Sequence, residues 1–316
     1  MKHLTVMLCV LTSAQLSAQA CDLCSVYSAT EAKESKPGLI LGVFEQYTYF
    51  GTLQEDGHEV SNPADQKEDS AITQFIIGYQ FNPRFGLQVN VPMIYRWWRR
   101  PEGTSIQTDS ELGLGDVSVV GNVLVYQHIE NDWMVALHAL GGVKFPTGDA
   151  DRLKEELNET PPPPGVPESA IHGHDLAFGS GSYDGIVGGT MFARWKRLFA
   201  TGTIQYAIRT IGFIGYRYAN DLTWSGGPGA YLWLKHEDTL SLQFNISGES
   251  KGPDRFQGED TDDTSVTAVY LGPEFAFTWH ENLSALVGVD VPVLQHNSAL
   301  QIVPDYRVRA AATWRY

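Results

Sequence analysis

No stretch of this 316-residue chain stays apolar long enough to cross a bilayer as a helix, which takes about 18 to 20 uninterrupted apolar residues. If the chain lives in a membrane, it does so as strands. Basic residues are also short: 22 Lys and Arg against 37 Asp and Glu leave a formal charge of −15, which repels a phosphate backbone and excludes a general nucleic-acid binder. No nucleotide-, flavin- or phosphate-binding motif stands in a strand-turn-helix setting, so no cofactor is expected and energy coupling through this chain is not. Internal linkers are missing too. The proline run at 161–164 sits inside one long polar insertion, and nothing divides the chain into two compositions. Cysteine is confined to Cys9, Cys21 and Cys24.

Glycine and aromatic side chains are plentiful, with 31 Gly, 14 Tyr, 14 Phe and 8 Trp in a chain of slightly negative mean hydropathy. A membrane β-barrel has this character because each strand buries only one face in lipid. Residues 306–316 show the pattern most plainly: apolar or aromatic side chains take every second position, while Arg307, Arg309 and Arg315 share the other face. Ending on Tyr316, this segment looks like the terminal strand by which outer-membrane barrels are recognised, so the barrel-assembly machinery and outer-membrane lipid are expected partners. At the other end, Met1-Lys2-His3, an apolar run at 4–11 and Ala18-Gln19-Ala20 read as a signal peptide over 1–20. Residues 21–37 then form a periplasmic segment and 38–316 the barrel.

Cleavage after Ala20 makes Cys21 the first mature residue. A lipoprotein signal is the alternative, although Ala18 stands where that motif prefers Leu and Gln19 is bulky for its place. In an oxidising periplasm the favoured fate of Cys21 and Cys24 is a short-loop disulfide, with soft-metal capture or lipidation of Cys21 as alternatives. Ser25 excludes c-type haem attachment, which needs His at that position.

Alternation and breakers predict twelve strands, over 39–50, 71–81, 85–98, 115–127, 133–145, 182–195, 198–210, 219–235, 239–248, 266–279, 283–293 and 305–316. Short turns at 82–84, 128–132, 196–197, 236–238 and 280–282 alternate with long polar loops at 51–70, 99–113, 147–181, 211–218, 249–265 and 294–304. An antiparallel transmembrane β-barrel sorts its connections this way, with short periplasmic turns and long extracellular loops; a soluble sandwich has no reason to. Trp97, Trp133, Trp195, Trp279, Trp314 and Tyr316 fall near strand ends, as interfacial girdles require. On the first strand Glu45 and Gln46 are adjacent, so one must face outward. Glu45 is expected in the lumen, because a charge facing lipid costs energy.

Four motifs carry a family resemblance: Val89-Asn90-Val91-Pro92, Gly113-Leu114-Gly115-Asp116, the stretch from Gly142 through Lys144 to Thr147-Gly148-Asp149, and Gly179-Ser180-Gly181-Ser182-Tyr183-Asp184. In order and spacing the chain resembles the outer-membrane transporter family labelled "MetA-pathway of phenol degradation". The resemblance implies an outer-membrane barrel of a Gram-negative bacterium, passing small and often aromatic solutes.

Read residue by residue, twelve strands enclose a space narrower than a general porin. The inferred inward row contains Arg96, Lys144, Arg194, Arg209, Arg307, Arg309 and Arg315, opposed by Glu45, Asp184 and Asp290. Two readings stand side by side: an anion filter, since guanidinium pairs carboxylates and stacks on rings, or a lumen zipped by internal ion pairs. Acidic residues crowd the long loops and read as a solvated rim. Within 258–263 they offer oxygen ligands for a hard cation, without the full spacing of a calcium loop. His172, His174 and Asp175 form a small cluster that would bind zinc or copper only with further ligands, and otherwise is a loop histidine pair. A channel for small solutes is the leading function. A surface-binding barrel acting through its loops, or a barrel-embedded hydrolase, are the alternatives, although no strand offers His and Ser two residues apart on one face.

Overall fold

The computed structural model describes residues 37–158, 162–235, 237–280 and 282–316. The expected signal peptide and the pair Cys21 and Cys24 lie outside them. Twelve antiparallel strands close into a ring. They are β1 (Gly38–Glu55), β2 (Lys67–Asn82), β3 (Phe85–Glu102), β4 (Ser118–Glu130), β5 (Trp133–Lys144), β6 (Asp184–Trp195), β7 (Leu198–Ile208), β8 (Asp221–Lys235), β9 (Asp238–Lys251), β10 (Val266–Trp279), β11 (Leu283–Asn297) and β12 (Leu300–Arg315). Each pairs with its neighbours in sequence, and β12 returns to β1 over a ladder running from Ile40 opposite Arg315 to Glu55 opposite Leu300. Closure leaves no strand edge, the condition for sheet backbone to sit in hydrocarbon.

Alternation assigns the two walls as the sequence predicted. On β3 Gln88, Asn90, Arg96 and Trp98 are buried inside, while Leu87, Met93 and Tyr95 stand on the exposed outer wall. On β9 Ser241, Gln243 and Asn245 are inside, and Leu240, Phe244 and Ile246 outside. An exterior this apolar is solvated by acyl chains, not water. Aromatics gather on the outside at the turn rim: Trp133 stacks on Trp195, and Phe81 bridges Tyr79 and Phe85. Among the described residues no helix is long and apolar enough to cross a membrane.

Three expectations need correction. Glu45 is on the outer wall, not in the lumen. Phe44, Thr48 and Phe50 are buried on the inner face of β1, so the period of two turns Glu45 outward, directly opposite Thr73, whose hydroxyl donates to its carboxylate. Beside it the Tyr47 hydroxyl donates to Asp69. Hydrogen bonds to neighbours on the same wall partly offset the cost that argued against this placement. Second, 99–113 is not a loop: β3 runs to Glu102, turns at Gly103, and Ser105–Leu114 pairs back along it. Third, β11 and β12 extend to a tight turn at 298–299, so 294–304 is strand on both sides of that turn rather than loop, β11 pairing there with β10 and β12 with β1. Polar composition above the membrane does not forbid a ladder where water solvates both faces.

Replacing Glu45 by Leu should stabilise the barrel by about 1 kcal/mol, the relief of a lipid-facing acid less the lost Thr73 bond. Urea unfolding in lipid vesicles, followed by tryptophan fluorescence, reads it; a fall in stability would show that the hydrogen bond outweighs the lipid.

Candidate functional site: the lumen and its lid

The extracellular half of the lumen is filled from above by the long connection between β5 and β6. Its 3₁₀ turn Asp151–Leu157 and single helical turn Gly173–Leu176 are folded inward. Ala170, Ile171 and Leu176 are buried against Phe50, Leu53, Trp98 and Ile302 of the wall, and Phe178 lies between Ile72 and Ile94. Fully burying an aliphatic or aromatic side chain is worth roughly 1.5–3 kcal/mol, so this lid is held by packing before any charge is counted.

Polar clamps then fix its register. The Arg100 guanidinium donates to the Ile171 carbonyl (3.1 Å) and to Glu155 (2.7 Å). Arg152 pairs with Glu111 on the extended hairpin and with Glu155, and its guanidinium lies over the Trp98 ring at 4.9 Å. Burial alone would raise the Glu155 pKa, but hydrogen bonds and charge from Arg152 and Arg100 hold it below the usual carboxylate range. Gln66 bonds the lid backbone twice, at the Glu168 carbonyl and the Ala170 amide.

The resemblance motifs meet at one knot in the wall. Pro92 has no N–H for a ladder, and beside it the fourth strand is interrupted at 115–117. There Asp116 turns inward. Its carboxylate accepts from the amides of Gly148 and Ser180, which lie at the two ends of the lid connection. These ends cross so closely that a Cβ at Gly179 would sit 2.5 Å from the Gly148 carbonyl oxygen. Lys144 Nζ completes the knot, 2.6 Å from Asp116 and 2.8 Å from Asp184, and donates to the Ser180 hydroxyl. A serine beside a lysine suggests nucleophilic chemistry, but this lysine is a donor committed to two carboxylates, the opposite of a general base.

The lumenal bases are matched by acids. Arg209 lies 3.2 Å from Asp184; Arg307 is 2.8 Å from Glu249, with its guanidinium 3.8 Å from the Tyr270 ring centroid. Arg309 bridges Asp290 (2.6 Å) and Glu274 (2.9 Å), and Arg96 approaches Glu68 at 3.9 Å. Arg194 turns inward near the periplasmic rim, where its Nε has no hydrogen-bond partner among the described residues, and Arg315 lines the lower lumen. Sequence reading missed Glu68, Glu249 and Glu274. Glu249 was legible, since it continues the inward row Ser241, Gln243, Asn245 by one more period than the predicted strand allowed.

His174 is buried in the lid, its Nδ1 3.1 Å from Glu156 and its Nε2 3.4 Å from Asp175; its ring stacks on His172 and Tyr216. His172 lies 3.5 Å from Asp263. Burial would lower the His174 pKa, but the surrounding carboxylates of Asp175, Glu156 and Asp263 raise it to about 10. The histidine pair is thus an ion-paired element of the lid, and among the described residues no set of three His, Cys, Asp or Glu side chains is grouped for a metal. The acidic rim needs the same correction. Glu155, Glu156 and Asp254 are turned in and paired, Asp254 with Lys251 at 2.9 Å, because the loops that carry them fold over the barrel.

Two chambers remain. The upper, about 1270 Å³ of atom-free space, is walled by the ion pairs and the underside of the lid. The lower, about 1820 Å³, mixes hydroxyls and amides, among them Gln80, Asn122, Thr201 and Ser241, with apolar side chains such as Ile76 and Phe199; both figures include space open to solvent.

No protein-family profile matches the chain, and no curated protein matches it in sequence. Among solved structures, the COG4313 outer membrane channel from Pseudomonas putida F1 is similar, with a TM-score of 0.59 and 12% identity over 92% of this chain and 100% of that one. The β domain of the Bordetella autotransporter BrkA aligns over 87% of this chain and 99% of that one at 9% identity, with a TM-score of 0.42. The fold is that of an outer-membrane β-barrel. At 12% identity the likeness speaks for fold alone.

The lid should loosen in alkali. The folded His174 pKa of about 10 lies above its ordinary 6.5, so its stabilising charge is fully present below pH 6.5 and lost as pH rises through 10. Limited proteolysis of 162–178 should accelerate between pH 8 and pH 10.5, and His174→Gln should flatten that dependence.

Proposed function

We propose that this barrel is a lidded channel through which small solutes, aromatic ones included, cross the outer membrane one at a time. This is the function implied by the resemblance to the "MetA-pathway of phenol degradation" transporters, and the solved barrel of similar fold is itself described as a channel. The observation that carries the reading is two chambers of mixed polar and apolar lining stacked inside a closed barrel, the upper one covered by a connection that folds inward from the extracellular rim. Such a lid makes passage conditional on its movement. It also turns the longest loop away from the surface, which disfavours an adhesive role.

Charge selectivity is the part of the sequence reading that the geometry bears on most. An arginine paired with a carboxylate in a buried lumen presents little net field to a passing ion. We therefore expect weak selectivity, with size and lid position deciding what passes.

In planar bilayers the double variant Arg100→Ala, Arg152→Ala should conduct severalfold more than the parent chain, with the anion-to-cation permeability ratio nearly unchanged. Strong anion selectivity in the parent that Arg307→Gln abolishes would restore the arginine filter; no conductance in either protein would sink the channel.

A further inference from the structure

Gln74 sits on the inner face of β2 where the two chambers meet. Ile72, one step above it, lines the upper chamber; Ile76, one step below, lines the lower; Gln74 itself lines the upper. Phe44 and Pro92 are its direct neighbours in the ladders on either side. The side chain is 1% exposed, yet neither its amide oxygen nor its amide nitrogen has a hydrogen-bond partner among the described residues. Leaving both ends of a buried carboxamide unsatisfied is unfavourable, and a wall that needed only a space-filling residue here would be better served by Leu or Met. Other carboxamides of this wall are engaged: Gln88 donates to Asn90, and Asn90 to Ser118. Across the ring on β9, Asn245 faces the lower chamber, 3% exposed, with its amide nitrogen likewise unpartnered.

We infer that Gln74 is a recognition point at the waist of the lumen, for small uncharged solutes whose head group presents a hydrogen-bond donor and an acceptor side by side, a carboxamide or lactam being the simplest. Two parallel hydrogen bonds to such a head satisfy both ends of the Gln74 amide at once. The solute's apolar body then has Ile72, Phe178 and Phe50 to lie against in the upper chamber. A carboxylate offers acceptors only and leaves the Gln74 oxygen facing a like-charged partner. An ester or ketone satisfies just the nitrogen. The bases of this chamber do not recruit the carboxylate instead, since Arg307 and Lys144 are already held by Glu249, Asp116 and Asp184. The inference rests on the channel reading and adds to it the chemical class that the waist selects.

The test uses the full chain reconstituted in planar bilayers, with ion current as the readout and benzamide, methyl benzoate and benzoate as probes of one size. Benzamide should block the current at concentrations about tenfold lower than methyl benzoate or benzoate, the effect of two neutral hydrogen bonds. Gln74→Leu should keep the ion conductance, lose the benzamide preference, and unfold at the same or a higher temperature in the heat-shift gel assay, because an orphan amide has been removed. Saturation-transfer NMR on the purified chain in detergent should show the same tenfold loss of benzamide affinity without depending on conductance. Absence of current with benzamide binding intact would remove the channel reading and leave the site. Current present in both proteins with equal block by all three probes would overturn the site, as would a lower unfolding temperature in Gln74→Leu, which would make Gln74 a structural residue.

Discussion

The ladder between β1 and β12 is the constraint on which everything else depends. Hydrocarbon offers no hydrogen-bond partner to an N–H or C=O, so a sheet in a membrane must have no edge. Pairing from Ile40 with Arg315 up to Glu55 with Leu300 removes both edges in one step. Once the ring is closed, alternation acquires opposite meanings on its two walls: the apolar row meets lipid, and the polar row is forced into an enclosed space narrow enough for side chains from facing strands to reach one another.

That confinement explains the electrostatics. Buried charges are tolerated when paired and hydrogen-bonded, and a lumen of this width places arginines within reach of acids several strands away. Arg307 finds Glu249 and Arg309 finds Glu274 across the curvature of the ring, not along one strand. The same logic draws in the lid, whose Glu155 pairs with Arg100 of the wall while its histidines pair with carboxylates of the lid itself and of the neighbouring 252–265 loop. The product is a barrel with largely neutralised walls and one connection folded into its lumen.

Strand number, wall assignment, the turn rim and its aromatic band were legible because each is written at short range. A period of two and a turn signal need only a dozen residues of context. The knot at Asp116, Lys144 and Asp184 was half legible: its motifs stood out in order and spacing, but their purpose, to pin both ends of the lid at an interrupted strand, is a contact among three distant segments. Glu45 shows where local reasoning failed. Alternation alone left two registers open, and the cost of a lipid-facing acid argued for the wrong one because it took no account of Thr73 on the neighbouring strand.

The sequence by itself determined that this chain is an all-β membrane barrel, since periodicity and the absence of apolar helices leave no other way to satisfy its backbone in lipid. Tertiary structure alone decided which charges neutralise one another, that the long connection turns into the lumen, and that Gln74 faces the junction of two chambers with no protein partner among the described residues. Those outcomes depend on how far the ring curves and which strands it brings face to face, and distance across a lumen leaves no trace in the order of residues along a strand.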